Sequence, residues 1–137
     1  MIFNVTAPRS LVVGAGALVA VQVVHAAVPG PSEVSGSLLG PIVGLGLLVS
    51  SVAALVGATR GRPWARSVLR TTGAIVAAGF LLYHAIPVKT PLNYPYWGKA
   101  TANFWQWLPV LAAMAVGAWC VRLARSTPAL APVAAEP

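Results

Sequence analysis

Acidic residues are nearly missing from this 137-residue chain, with Glu33 and Glu136 standing against nine lysines and arginines. Neither glutamate falls in an apolar segment, so no buried carboxylate pair can divide acid and base duties. Charge of either sign is scarce: 8% of residues carry one, where a soluble domain carries about 25%. So little charge cannot clothe a water-facing surface. Cysteine occurs once, as Cys120, which excludes an internal disulfide. That thiol lies in an apolar run and reads as a small buried hydrophobe.

What fills the chain is apolar. Hydrophobic residues make up 58% of it, and the mean hydropathy is +0.79. A spanning helix takes about 20 residues, and four such runs use most of the sequence. The first covers roughly residues 9–28, with an uncharged stretch from Leu11 to Val28 that Pro29-Gly30-Pro31 ends. The second is Leu38 to Thr59, with Pro41 tolerated in its first turn. The third is Ser67 to Ile86, closed by Pro87, and the fourth is Asn103 to Leu123, where Pro109 is expected to kink the helix. The expected fold is an all-α integral membrane protein, an antiparallel bundle of four transmembrane helices forming one domain over residues 1–125. Residues 126–137, rich in Ala and Pro, read as a disordered tail. A cleaved signal peptide is the rival reading of the first run. That run exceeds the usual apolar core of a signal peptide, and only Arg9 precedes it.

Cation placement sets the expected orientation. Arg9, Arg60, Arg62, Arg66, Arg70, Arg122 and Arg125 fall on one side of the four-span map, and only Lys89 and Lys99 on the other. The positive-inside rule puts the arginines and both termini in the cytoplasm, in a cell (plasma or inner) membrane. The net charge of +7 follows from this placement. No basic helix or basic–aromatic groove suggests nucleic acid as a partner. Arg60, Arg62, Arg66 and Arg70 can also attract anionic headgroups, though setting orientation is their plainer role. Arginine outnumbers lysine and Ala, Val and Gly abound, a compositional association with high-GC bacterial genomes.

Aromatics frame the boundaries. Tyr83, Tyr94, Tyr96, Trp97, Trp105 and Trp107 gather at the expected outer face, and Trp64 and Trp119 at the inner one. Tyr94, Tyr96, Trp97 and Trp105 are expected to form an aromatic cap on the outer loop. Small residues recur at four-residue steps, which lets helix backbones approach: Gly16 and Ala20; Gly40 and Gly44, then Gly46, Ser50 and Ala54; Gly73 and Ala77; Ala113 and Gly117.

Polar side chains inside apolar spans are costly and face protein. Here they are Gln22, His25, His84 and Gln106. His25 stands roughly 21 Å along its helix from Leu11 and His84 roughly 25 Å from Ser67, so both lie toward the outer side. Small-residue spacing turns His84 and Gln106 inward, while for His25 and Gln22 polarity alone argues for it. The four are expected to converge, with Tyr83 and Glu33 nearby. Such a cluster can be a hydrogen-bonded plug, each pair worth about 0.6 kcal/mol. It can instead be a metal or haem site through His25 and His84, or a pocket for a quinone or lipid. Ser50 and Ser51 have no histidine beside them and read as bonded to their own backbone. Gly14-Ala15-Gly16 lies inside an apolar run, where no phosphate binds. The Asn4-Val5-Thr6 sequon falls on the cytoplasmic side. The residues point to a non-enzymatic accessory or interaction protein that packs with itself or with a larger membrane partner. The alternative is a binding protein for haem, metal, quinone or lipid near the outer helix ends. No particular cofactor is specified.

Overall fold

A computed structural model describes residues 9–31, 38–87 and 95–126. The expected tail, Glu33, Tyr94 and Lys89 lie outside these residues. Among the described residues there is no strand. Four helices are long and apolar enough to cross a membrane: α1 (Arg9–Ala27), α2 (Leu39–Thr59), α3 (Trp64–Phe80, continued by a π-helical turn, Leu81–Ala85) and α4 (Phe104–Ser126). A helix satisfies its own backbone, which lipid cannot do.

Local chemistry sets the helix ends. At the end of α2, Gly61 takes φ 64°, its N–H donates to Ala58 O, and Arg62 N–H donates to Gly57 O at 2.8 Å. This is a Schellman stop, and glycine adopts its left-handed residue without penalty. Pro87 pushes Ile86 into an extended conformation (φ −77°, ψ 123°), ending α3 just after Ile86 N–H donates five residues back to Leu81 O. The start of α4 is a capping box. Asn103 Oδ1 accepts from Trp105 N–H at 3.0 Å, and Gln106 Oε1 accepts from Asn103 N–H at 3.1 Å. Helix α4 runs on through Pro109, which is buried.

Helices α1 and α3 each pack against both α2 and α4, and α1 also touches α3. Apolar side chains at helical spacing face inward: Leu11, Ala15 and Leu18 on α1, Ala65, Leu69 and Val76 on α3, and Val110, Ala113, Cys120 and Ala124 on α4. Between α3 and α4 the backbones nearly touch. A Cβ on Gly73 would lie 2.8 Å from Gly117 O, and one on Gly117 would lie 2.6 Å from Gly73 O and 2.9 Å from Ala77 N. The Gly73–Ala77 and Ala113–Gly117 stripes face each other there. On α1 the close contact is elsewhere. Gly16 has open space around it, whereas a Cβ on Gly14 would meet Leu123 at 2.9 Å and Cys120 at 3.7 Å. The Cys120 thiol donates to Gly14 O at 3.3 Å. The Gly16–Ala20 stripe is therefore not the packing face, because the row from Leu11 through Leu18 points to the core instead.

Helix α2 is the least enclosed. Only 11% of its most apolar stretch is buried, against 28% or more in each other helix. Ser51, Ala54, Gly57 and Ala58, all in its second half, are buried. Gly44 and Gly46 have nothing within 4 Å.

The seven arginines share one end. The start of α1 meets the end of α4 through Gly14, Cys120 and Leu123. The end of α2 meets the start of α3, where the Trp64 ring lies over Gly57, and Arg66 Nε donates to Ala124 O near the end of α4. The opposite end carries His25 and His84.

Candidate functional site

The two histidines meet. The His25 ring, in the last turn of α1, lies 5.2 Å from the His84 ring, edge to face. His84 sits in the π-helical turn and is only 8% exposed. A π turn is one residue wider than an α turn, and such turns recur at functional sites. Aromatic rings enclose the pair. Phe80 is 4.7 Å from His25 and 5.6 Å from His84, Tyr83 is 4.8 Å from His84, and Tyr96 is 4.6 Å from it.

Tyr96 and Trp97 are strapped onto this turn. Tyr96 N–H donates to His84 O at 3.1 Å, and Trp97 Nε1–H donates to Ala85 O. Trp107, from the first turns of α4, contacts Tyr96 at 5.5 Å and Trp97 at 4.7 Å. Tyr96 is buried. Burial, with Tyr83 adding to it, pushes its phenol above the ordinary tyrosine value, so Tyr96 stays a neutral hydrogen-bond donor.

The other two expected members stand apart from the pair. Gln22 is buried on the same row of α1 as Leu18, and its Nε2 donates to Ser51 Oγ at 2.6 Å and to Leu18 O at 3.0 Å. Ser51 Oγ in turn donates to Leu47 O at 2.9 Å, so this polar chain joins α1 to α2 below the histidines. Gln106 Nε2 donates to Pro29 O at 3.0 Å, tying the exit of α1 to the entry of α4. With its capping bond to Asn103, Gln106 serves as a structural tie. Of the expected cap, Tyr96 covers His84 and Trp97 bonds the neighbouring Ala85. Trp105 is 69% exposed and packs on Phe104, so Trp107 takes the inward place. Residues two apart on a helix do not share a face, and only one of these tryptophans can turn toward the bundle.

The chemistry available is that of two imidazoles in a largely apolar enclosure. His25 Nδ1 is buried and makes no hydrogen bond, which costs about 1–3 kcal/mol unless something satisfies it. Two imidazoles on opposite sides of one iron hold their ring centres more than about 6 Å apart, given metal–N bonds of about 2 Å. At 5.2 Å, with Phe80 against both rings, this pair does not bracket a haem. The spacing suits two ligands on one tetrahedral ion, which also places ring centres about 5 Å apart, and equally an ordinary edge-to-face ring contact. The tyrosine hydroxyls reach elsewhere. A Cβ on Gly40 would come within 2.7 Å of Tyr83 Oη, and one on Gly30 within 3.8 Å of Tyr96 Oη. Among the described residues, no three His, Cys, Asp or Glu side chains gather to hold a metal ion.

Phe80 and Ser51 join the surroundings of the expected site without having been expected there, and Trp107, expected only as a boundary aromatic, joins them. Phe80 was legible in principle, being one turn before His84 on the same face. Of the expected headgroup arginines, Arg60, Arg62 and Arg70 are exposed, while Arg66 is engaged with carbonyls of α4. No protein family, no curated protein and no solved structure matches this chain.

Proposed function

We propose that this chain is a multi-pass protein of the cell membrane, its four helices antiparallel and its arginine-bearing end in the cytoplasm. We further propose that it has no catalytic chemistry of its own and acts as an accessory subunit, packing through α2 against a second copy or a larger membrane protein. One observation carries this reading: α2 spends its small residues unevenly. Ser51, Ala54, Gly57 and Ala58 in its second half are buried against the bundle, while a Cβ at Gly44 or Gly46 would meet nothing within 4 Å, beside exposed Ile42, Val43, Leu45 and Val49. Small residues set among larger apolar ones admit another helix closely. Lipid is the remaining partner, and nothing in this reading requires nucleic acid.

Leucine at Gly44 and Gly46 tests it, since neither position has an atom within 4 Å to obstruct a side chain. The paired Gly44→Leu/Gly46→Leu variant is expected to keep its melting temperature and lose its associated mass in mild detergent. A wild-type chain recovered as a lone monomer contradicts the reading.

A second reading is favoured by the buried, unbonded His25 Nδ1. Here the histidine end binds a small ligand that bonds to imidazole: a metal ion, or the polar head of a quinone or lipid. Wild-type protein then retains the ligand through purification, detected by metal analysis or native mass spectrometry, and His25→Ala and His84→Ala lose it. Wild-type protein that emerges free of metal and small molecules contradicts this reading.

A further inference from the structure

The arginines of the α2–α3 link and those of α4 are distant in sequence and adjacent in space. Arg66 and Arg70, four residues apart, lie along one edge of the start of α3, and Arg62 directly precedes that start, its carbonyl accepting from Ala65 N–H at 3.1 Å. Arg66 fixes what that edge borders. Its Nε donates to Ala124 O, and its Nη2 reaches Arg125 O at 3.5 Å. A guanidinium on the last carbonyls of a helix satisfies orphan acceptors and meets the negative end of its dipole. Arg66 is thereby spent on structure. By holding α4 there, it draws the exposed Arg125 up to the edge that carries Arg70, with Arg62 just before it, both exposed as well.

Nothing within the described protein balances this charge. No aspartate or glutamate occurs among the described residues, so an anion that meets these guanidiniums comes from outside the described residues. Two tryptophans mark the level. Trp64 is 47% exposed and Trp119 40% exposed, and a half-exposed indole favours headgroup depth. An anion at that depth, offered to forked donors, is a phosphodiester.

We propose that the seam between the start of α3 and the end of α4 is a binding site for an anionic phospholipid headgroup, held by Arg62, Arg70 and Arg125 around the structural Arg66. The site binds lipid rather than merely orienting the chain, and it is independent of the accessory role of α2.

Native mass spectrometry of the full chain, released from nanodiscs of mixed phosphatidylglycerol and phosphatidylcholine, tests this. Wild-type protein is expected to carry phosphatidylglycerol above its share of the bilayer. Each arginine removed should lower that preference about fivefold, so Arg62→Gln/Arg70→Gln/Arg125→Gln should lose about a hundredfold. If the triple variant does not fold, single Arg70→Gln and Arg125→Gln variants carry the test at about fivefold each. Lys99→Gln, at the opposite end, should change nothing. Three results would overturn the proposal: bound lipid in the bulk ratio, equal enrichment in the glutamine variants, or an equal loss in Lys99→Gln. Displacement of the lipid by inorganic phosphate at equal concentration would overturn it too, by showing a site for the free anion.

Discussion

His25 shows how a single polar residue is placed. Nothing in its spacing from small residues turns it inward, and the Gly16–Ala20 row that might have guided it faces open space. What turns it is the cost of polarity in lipid, which also buries Gln22 on the same row. That argument was available in the sequence, and in the structure His25 lies against His84. It could not rank partners. Gln22 found Ser51 and Gln106 found Pro29 because each lies at a different depth, so one expected cluster became three separate contacts. Two predictions belong here. Replacing His25 with Phe keeps a ring of similar shape and removes the unbonded Nδ1, so ligand-free protein should gain about 1–3 kcal/mol in reversible unfolding from detergent. A loss of that size would show that the nitrogen is satisfied in the folded protein. Gln22→Leu breaks the bond to Ser51 and should cost about 0.6 kcal/mol, at most about 1.7, in the same measurement.

At the scale of helices, legibility followed how directly spacing constrains backbone approach. The Gly73–Ala77 and Ala113–Gly117 stripes found each other because α3 and α4 can come that close only where both lack side chains. Gly117→Val should therefore destabilise the bundle by about 1–3 kcal/mol or more, read as a lowered melting temperature. The obstructing atoms are backbone, Gly73 O and Ala77 N, and cannot swing aside. A valine tolerated without loss would mean the two helices stand further apart. The stripe on α2 was equally visible and is mostly unused within the chain, because a sequence cannot state which face meets protein and which meets lipid. The π turn was not legible at all. Pro87 announced an end to α3, but the widened turn that carries Tyr83 and His84 is bonded by Tyr96 and Trp97, contacts that no local pattern encodes.

For the whole molecule, four apolar runs in the sequence became four helices because length and hydropathy leave a chain so poor in charge few other ways to satisfy its backbone. Its polarity is the larger feature. Arginines gather at one end, histidines and interlocked aromatics at the other, and the proposed orientation puts the arginine end in the cytoplasm. Cys120 is the only cysteine and is buried, so one added thiol reports its own position. The decisive measurement labels intact cells with a membrane-impermeant maleimide after Thr101→Cys or Ser126→Cys. Thr101→Cys is expected to react from outside and Ser126→Cys only after the cells are opened. Reaction of Ser126→Cys in intact cells, or protection of Thr101→Cys there, would contradict it.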